Sequence, residues 1–302
     1  METQADNRSE LNRALKAIGL LLLAILCFDM MSLLVRMLSA RYAPPELSAY
    51  RNVLGLVPSL ALLIWTGELR LRGSSLKIEN WPLAIGRGFA VALAQLFFYT
   101  ALSRLELATV ATLGQTNALF VVLLSVILLG ERVGPWRIGA LLLGFVGVVW
   151  ILRPGSDAFT VAALFPVGAA FCYAFSMVTV RFFGPDVSNG LLYLYSSAAA
   201  AVGAIILAAF TTEFTQLQSP ADVGLIFAMG ILGGTGVLFM MLAYRSAAPS
   251  ILAPFGYFGI LSAFVFGWFF FGEAPVATLF PGVLLIVGAG GLIMWREGRT
   301  GR

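Results

Sequence analysis

Histidine is absent from this 302-residue sequence, cysteine occurs twice, and charged residues make up only 11% of the chain. Without histidine there is no imidazole for acid/base catalysis or metal ligation. Cys27 and Cys172 lie inside apolar runs, far from any CxxC spacing, so a disulfide framework and a zinc site are both unsupported. No metal and no cofactor is expected. No Walker segment occurs, so ATP is not the direct energy source of this chain alone. The 19 basic residues give a net charge of +4, but they sit at the ends and in a few loops rather than on one helical face, which does not indicate a nucleic-acid partner.

What is abundant is apolar: 60% of the residues are hydrophobic and the mean hydropathy is +0.92, whereas soluble domains carry roughly 25% charged residues. A water-soluble fold of this composition would expose too much apolar surface. A bilayer-spanning helix needs ~20 mostly apolar residues. Runs bounded by Pro, Gly or charge predict helices at 14–38, 46–66, 81–102, 107–129, 136–152, 158–183, 188–210, 222–244, 248–271 and 276–295. Ten spans leave only short connections and no soluble domain, with membrane lipid as the surroundings. The polar segment before residue 14 is followed by a long apolar run with no small-residue cleavage site, so a cytoplasmic tail is expected rather than a cleaved signal peptide.

Placing the N-terminus on one side puts Arg8, Arg13, Lys16, Arg70, Arg72, Lys77, Arg132, Arg137, Arg181, Arg245, Arg296, Arg299 and Arg302 on that side, against little more than Arg36, Arg41, Arg104 and Arg153 on the other. By the positive-inside rule both termini are expected to be cytoplasmic; the membrane expected is a bacterial inner membrane. An even number of spans follows.

A shift of 145 residues aligns Ala17 with Ala162, Ala24 with Ala169, Cys27 with Cys172 and Arg36 with Arg181. A shift of 142 aligns Ala101 with Ala243, Gly114 with Gly256, Leu119 with Leu261, and Gly130-Glu131 with Gly272-Glu273. The near-constant offset suggests duplication: a tail at 1–13, one five-helix repeat at 14–152, a second at 158–295, and a tail at 296–302. An odd number of helices per half inverts the second half relative to the first, an architecture of secondary transporters. The alternative is chance identity among Ala, Leu and Gly.

The stretches LATVATLGQTNALFVVLLSVILLGERVGPWRIGALLLGFVGVVWILRPG and AYRSAAPSILAPFGYFGILSAFVFGWFFFGE resemble the EamA type of the drug/metabolite transporter superfamily. LLVRML, AYRNVLGLVPSL and GRGFAVALAQLFFYTAL are similar to the S-adenosylmethionine uptake group within it. The resemblance spans about residues 14–296. It implies ten helices around a central cavity, lined mainly by helices 1, 3, 4, 6, 8 and 9, and alternating-access carriage of a small metabolite. Amino acids, nucleoside-like compounds and vitamins are all carried by relatives, so the expected substrate is a small amphipathic or zwitterionic molecule. The chain departs from the S-adenosylmethionine group in having Ser32 and Gly256 where an acid is common, with its own acid one turn earlier at Asp29. A membrane-embedded lipid-modifying enzyme or a channel is the alternative, though the scattered acids and missing histidine do not assemble a catalytic set.

Asp29 is the only carboxylate well inside a predicted span. An intramembrane charge is costly and marks a cavity or a partner, so Asp29 is a candidate for the cationic part of a substrate or for a coupling proton. The alternative is a salt bridge to Arg51 or Arg36. Arg51 and Arg87 enter helices 2 and 3 a few residues from their starts and either line a cavity or snorkel to the headgroups. If Asp29 and Arg51 form one charged lining, the pair suits a zwitterion. Gln115 and Tyr257 are one position in the two halves, since 115 plus 142 is 257, and symmetry-related polar positions are where a substrate is expected. Asn117 lies about 200° around the helix from Gln115, so both cannot face the cavity squarely. Pro254, Gly256 and Gly259 interrupt helix 9; Gly233, Gly234 and Gly236 thin helix 8 and suit close packing. Gln95, Tyr99, Tyr173, Phe175 and Ser176 add an aromatic and hydroxyl set suited to an amphipathic ligand. Glu131 and Glu273, in GERV and GEAP, fit helix capping and bracing better than transport. The oligomeric state is not legible.

Overall fold

A computed structural model of the chain describes residues 2–65, 80–130, 135–152, 160–183, 187, 189–246, 252 and 255–300. Arg70, Arg72, Lys77, Glu131, Arg132, Arg153 and Pro254 lie outside the described residues. Among those described there is no strand. The helices are α1 (Glu2–Leu38), α2 (Pro44–Trp65), α3 (Trp81–Leu102), α4 (Leu107–Gly114), α5 (Asn117–Leu129), α6 (Pro135–Leu152), α7 (Leu164–Val178), α8 (Asn189–Thr211), α9 (Pro220–Ser246), α10 (Phe258–Phe271), α11 (Val276–Leu279) and α12 (Gly282–Thr300). Single turns of 3₁₀ helix, Val161–Ala163 and Thr179–Phe182, flank α7.

Among the described residues six stretches, from Arg13–Leu38 to Pro220–Met240, are long and apolar enough to cross a bilayer, and three shorter apolar helices lie at Ile138–Leu152, Phe258–Phe271 and Gly282–Leu292. Large apolar side chains point outward, Phe210 at 86% exposure and Phe269 at 73%. Such a surface is unfavourable in water and matches hydrocarbon.

The predicted helix at 107–129 is broken. Gln115 and Thr116 form a turn between α4 and α5, where the Thr116 hydroxyl donates to the Leu113 carbonyl at 2.6 Å. Hydroxyls that bond the preceding turn offer the backbone an alternative to the helix ladder. The run predicted at 276–295 is divided too: Pro281, which has no N–H to donate, separates α11 from α12.

α5 and α10 end alike. Gly130 and Gly272 both adopt φ 66°, the left-handed cap that favours glycine. Helix packing runs largely between the chain's first and second halves: α1 on α9, α2 on α8 and α9, α3 on α7 and α8, α4 on α10, α5 on α7, and α6 on α12. Exchanging the two halves maps the α1–α9 pairing onto α3–α7 and the α2–α9 pairing onto α3–α8, and maps α2–α8 and α6–α12 onto themselves. Small residues permit the closest approaches. A Cβ on Gly88 would lie 2.4 Å from the Ser196 carbonyl oxygen of α8, and one on Gly234 would lie 2.7 Å from the Gly55 carbonyl oxygen.

Polar ties gather at the end of the bundle that carries the α1–α2 turn. Arg36 donates to the Leu102 carbonyl at 2.8 Å, to the Leu105 carbonyl, and to Glu273. The second carboxylate oxygen of Glu273 accepts the Leu107 N–H at 3.1 Å. One ion pair therefore caps the end of α3, the start of α4 and the turn after α10. Beside it Arg41 pairs with Asp222 at 2.8 Å, and the Tyr42 hydroxyl donates to the same carboxylate at 2.9 Å. Glu46, fully buried, accepts the Tyr50 hydroxyl and the Thr215 N–H. Glu46 and Asp222 are each the third residue of a proline-started helix, where the helix dipole favours a carboxylate.

Candidate functional site

Asp29 lies two turns before the end of α1, part-buried, and its carboxylate accepts the hydroxyl of Ser262 in α10. The Phe258 carbonyl, 3.0 Å away, is a second acceptor for that hydroxyl. Among the described residues Asp29 forms no ion pair: Arg36 is taken by Glu273, and Arg51 by the backbone of α9. The carboxylate thus has a neutral partner, leaving its charge without a fixed counter-ion.

Arg51 extends from α2 across α9. Its guanidinium donates to the Gly233 carbonyl at 3.2 Å and makes a long contact, 3.5 Å, with the Asn52 amide oxygen. Gly233 makes room for it. A Cβ there would sit 2.6 Å from Arg51 Nε and 2.8 Å from Met31 Sδ.

Gln95 of α3 is buried and accepts the side-chain amide of Asn52. The Tyr173 hydroxyl of α7 lies beside Gln95. Tyr99, one turn on from Gln95 and 1% exposed, directs its hydroxyl at Met31 Sδ, 3.6 Å away. The structure therefore gathers Arg51, Asn52, Gln95, Tyr99 and Tyr173 from α2, α3 and α7, against Met31 of α1 and Gly233 of α9.

The breaks at matched positions meet one another. Gln115 donates its amide to the Gly256 carbonyl at 3.3 Å, beside Tyr257, the residue preceding α10. The Tyr257 hydroxyl lies elsewhere, against α12, where a Cβ on Gly290 would be 1.4 Å from it. Asn117 turns to α7 and donates to the Ala170 carbonyl at 3.0 Å, on a different side of the helix from Gln115, as their spacing requires. Ser176 is buried, and its carbonyl accepts Arg87 Nε at 2.9 Å. Arg87 also reaches Ser196 Oγ at 3.3 Å and stacks over Phe183 at 5.7 Å, tying α3, α7 and α8 together without snorkelling.

Sequence reasoning missed Ser262, Asn52 and the buried acids Glu46 and Asp222. For the acids a signal existed, the Pro-x-acid starts PPE and PAD. Ser262 carried none, because its role depends on the rotation of α10 against α1. Among the described residues no set of metal-ligating side chains is assembled.

Residues 15–153 match the model of the EamA-like transporter family. Over 261 residues the chain is 30% identical to a riboflavin transporter of Brucella anthropi, an alignment covering 84% of this chain and 88% of that one. It is 23% identical over 291 residues to an S-adenosylmethionine uptake transporter of Rickettsia felis, covering 95% and 96% respectively. A solved structure with 21% identity superposes with a TM-score of 0.64 over 94% of this chain and 97% of that chain, a likeness of fold.

Proposed function

The chain belongs to the EamA-like transporter family, within the drug/metabolite transporters, and on that premise we propose that it carries a small amphipathic or zwitterionic metabolite across the bacterial inner membrane by alternating access. It is a multi-pass membrane transporter and not an enzyme. The observation that carries the proposal is Asp29, a carboxylate inside α1 held, among the described residues, by the neutral Ser262 hydroxyl of α10. A charge kept at such cost, at a contact between the two halves, is available to a substrate cation or a coupling proton. Arg51, with Gln95, Tyr99 and Tyr173 beside it, supplies the opposite charge and the aromatic walls. Gln115, Asn117, Ser176 and Tyr257 complete the candidate set, Gln115 through its contact at the paired breaks.

Alternating access is supported by the matched pairing of helices and by matched glycine caps, both in keeping with two inverted five-helix repeats, 14–152 and 158–295, and ten spans with cytoplasmic termini. The ties through Arg36, Arg41, Glu46, Asp222 and Glu273 hold one end of the bundle together across the halves, so under this reading the pathway opens at the other end.

The test is a thermal-shift screen of purified protein against amino acids, nucleosides, vitamins and quaternary amines, followed by uptake of each hit into proteoliposomes. At least one hit should be transported, with transport lost in Asp29→Asn. Folded protein that moves none of them would sink the proposal.

A further inference from the structure

The surroundings of Arg51 hold more hydrogen-bond donors than acceptors. A guanidinium offers five N–H groups and no acceptor. One goes to the Gly233 carbonyl, another makes only the long contact with Asn52, and Nε is buried with no hydrogen-bond partner among the described residues. Tyr99 spends its hydroxyl proton on the sulfur of Met31, a weak acceptor. Asn52 gives its amide hydrogens to the Ser48 carbonyl and to Gln95 Oε1, which occupies the amide oxygen of Gln95. The two ion pairs among the described residues, Arg36–Glu273 and Arg41–Asp222, use neither Arg51 nor Asp29.

A cation inside a membrane bundle is unfavourable unless an anion compensates it. Snorkelling would relieve Arg51, but Gly233 lets the side chain lie across α9 instead. The helix surface thus holds the charge inside the bundle while leaving most of its donors unspent.

Building on the transporter reading above, we infer that Arg51 is the seat for a carboxylate of the transported molecule, with the Tyr99 hydroxyl turning from Met31 to donate to the same group. A carboxylate fits better than a phosphate monoester. One guanidinium matches a single negative charge in a two-pronged geometry, and no second cation among the described residues pairs with this cluster to offset a dianion.

The probes are matched pairs at millimolar concentration: benzoate with benzamide, L-tyrosine with tyramine, indole-3-acetate with its amide, and phenyl phosphate beside benzoate. Melting temperature and equilibrium binding are measured on the intact protein in nanodiscs. The carboxylate of at least one pair should stabilise and bind while its neutral twin does not. Arg51→Gln should weaken that binding by about tenfold or more, the loss expected when a charge-assisted hydrogen bond is removed. Arg51→Lys should recover part of it and Tyr99→Phe should cost about threefold, so the outcome does not hang on one variant folding. The inference is overturned if neutral twins bind as well as the acids, if no acid binds, if phenyl phosphate outcompetes benzoate, or if acid binding survives Arg51→Gln. Uptake of the same probes separates this inference from its premise. Arg51-dependent binding without flux would leave the seat standing and remove the proposed carriage of such a molecule by alternating access, whereas flux indifferent to the carboxylate and to Arg51 would do the reverse.

Discussion

Replacing Glu273 with alanine removes an acceptor that serves two neighbours at once. Its Oε1 takes Arg36, and its Oε2 takes the N–H of Leu107, the first residue of α4. The side chains of Arg36 and Glu273 are 20% and 13% exposed, between the buried case, where breaking a pair costs ~3–5 kcal/mol, and the surface case, where it costs ~0–1 kcal/mol. Glu273→Ala should therefore cost about 2–3 kcal/mol, which corresponds to a fall of about 3–5 °C in melting temperature for a chain of this size. Arg36→Met should cost about 2 kcal/mol, since the Leu102 and Leu105 carbonyls lose their donor. The double variant should cost at least about 1 kcal/mol less than the two together, because the second substitution removes a charge the first had orphaned. Unfolding of the four proteins in one detergent gives the cycle. Strict additivity would show that the pair is not coupled and that its contribution to holding this end closed is nil.

Asp29→Asn retains an acceptor for Ser262, so melting temperature should change little. Loss of gradient-driven uptake with intact exchange would assign Asp29 to proton coupling, loss of exchange and binding together would assign it to substrate, and unchanged values in all would remove it from the mechanism. Gly88→Ala should destabilise by about 1–3 kcal/mol through overpacking against α8, whereas Gly86→Ala, whose Cβ meets nothing within 4 Å, should lie within about 0.5 kcal/mol of the parent protein; equal melting temperatures would refute the packing described. Reporter fusions should read cytoplasmic after Lys77 and Arg302 and periplasmic after Gln216, and a cytoplasmic reading at Gln216 would break the inverted topology.

Hydrophobic runs located the helices well where charge, Gly or Pro bounded them: the predicted 81–102 is α3, and 107–129 has the ends of α4 and α5. The turn at Gln115 was not legible because its support is local and tertiary, a hydroxyl on Leu113 and an amide on Gly256, with no proline to announce it. The capping and bracing expected of Glu273 is what its contacts provide. The partners of Asp29 and Arg51 were not legible. A salt bridge from Asp29 to Arg51 or Arg36 was the alternative reading, and among the described residues neither bridge forms. A helix apolar on every side, such as α1 within the bundle, carries no stripe that fixes its rotation, so which residues of α9 and α10 face it is decided by glycine positions such as Gly233 and Gly259, where sequence shows only permission to pack closely.

Under the proposed function, that Asp29 and Arg51 each hold a neutral partner bears on what the two can bind. Had the two formed an ion pair, each charge would cancel the other, and a ligand would have to break a low-dielectric contact before gaining anything. Instead Ser262 and the Gly233 carbonyl each supply one hydrogen bond, an interaction of about 1.5–3 kcal/mol with a charged group, small enough for a ligand to replace. A molecule with an ammonium at one end and a carboxylate at the other gains at both poles while displacing only neutral groups. A simple anion or cation gains at one pole and leaves the other uncompensated. Under the proposed function this arrangement selects zwitterions by the cost of the unmatched charge, so neutral amides and decarboxylated amines of a true substrate should be discriminated against more strongly than changes in its apolar body.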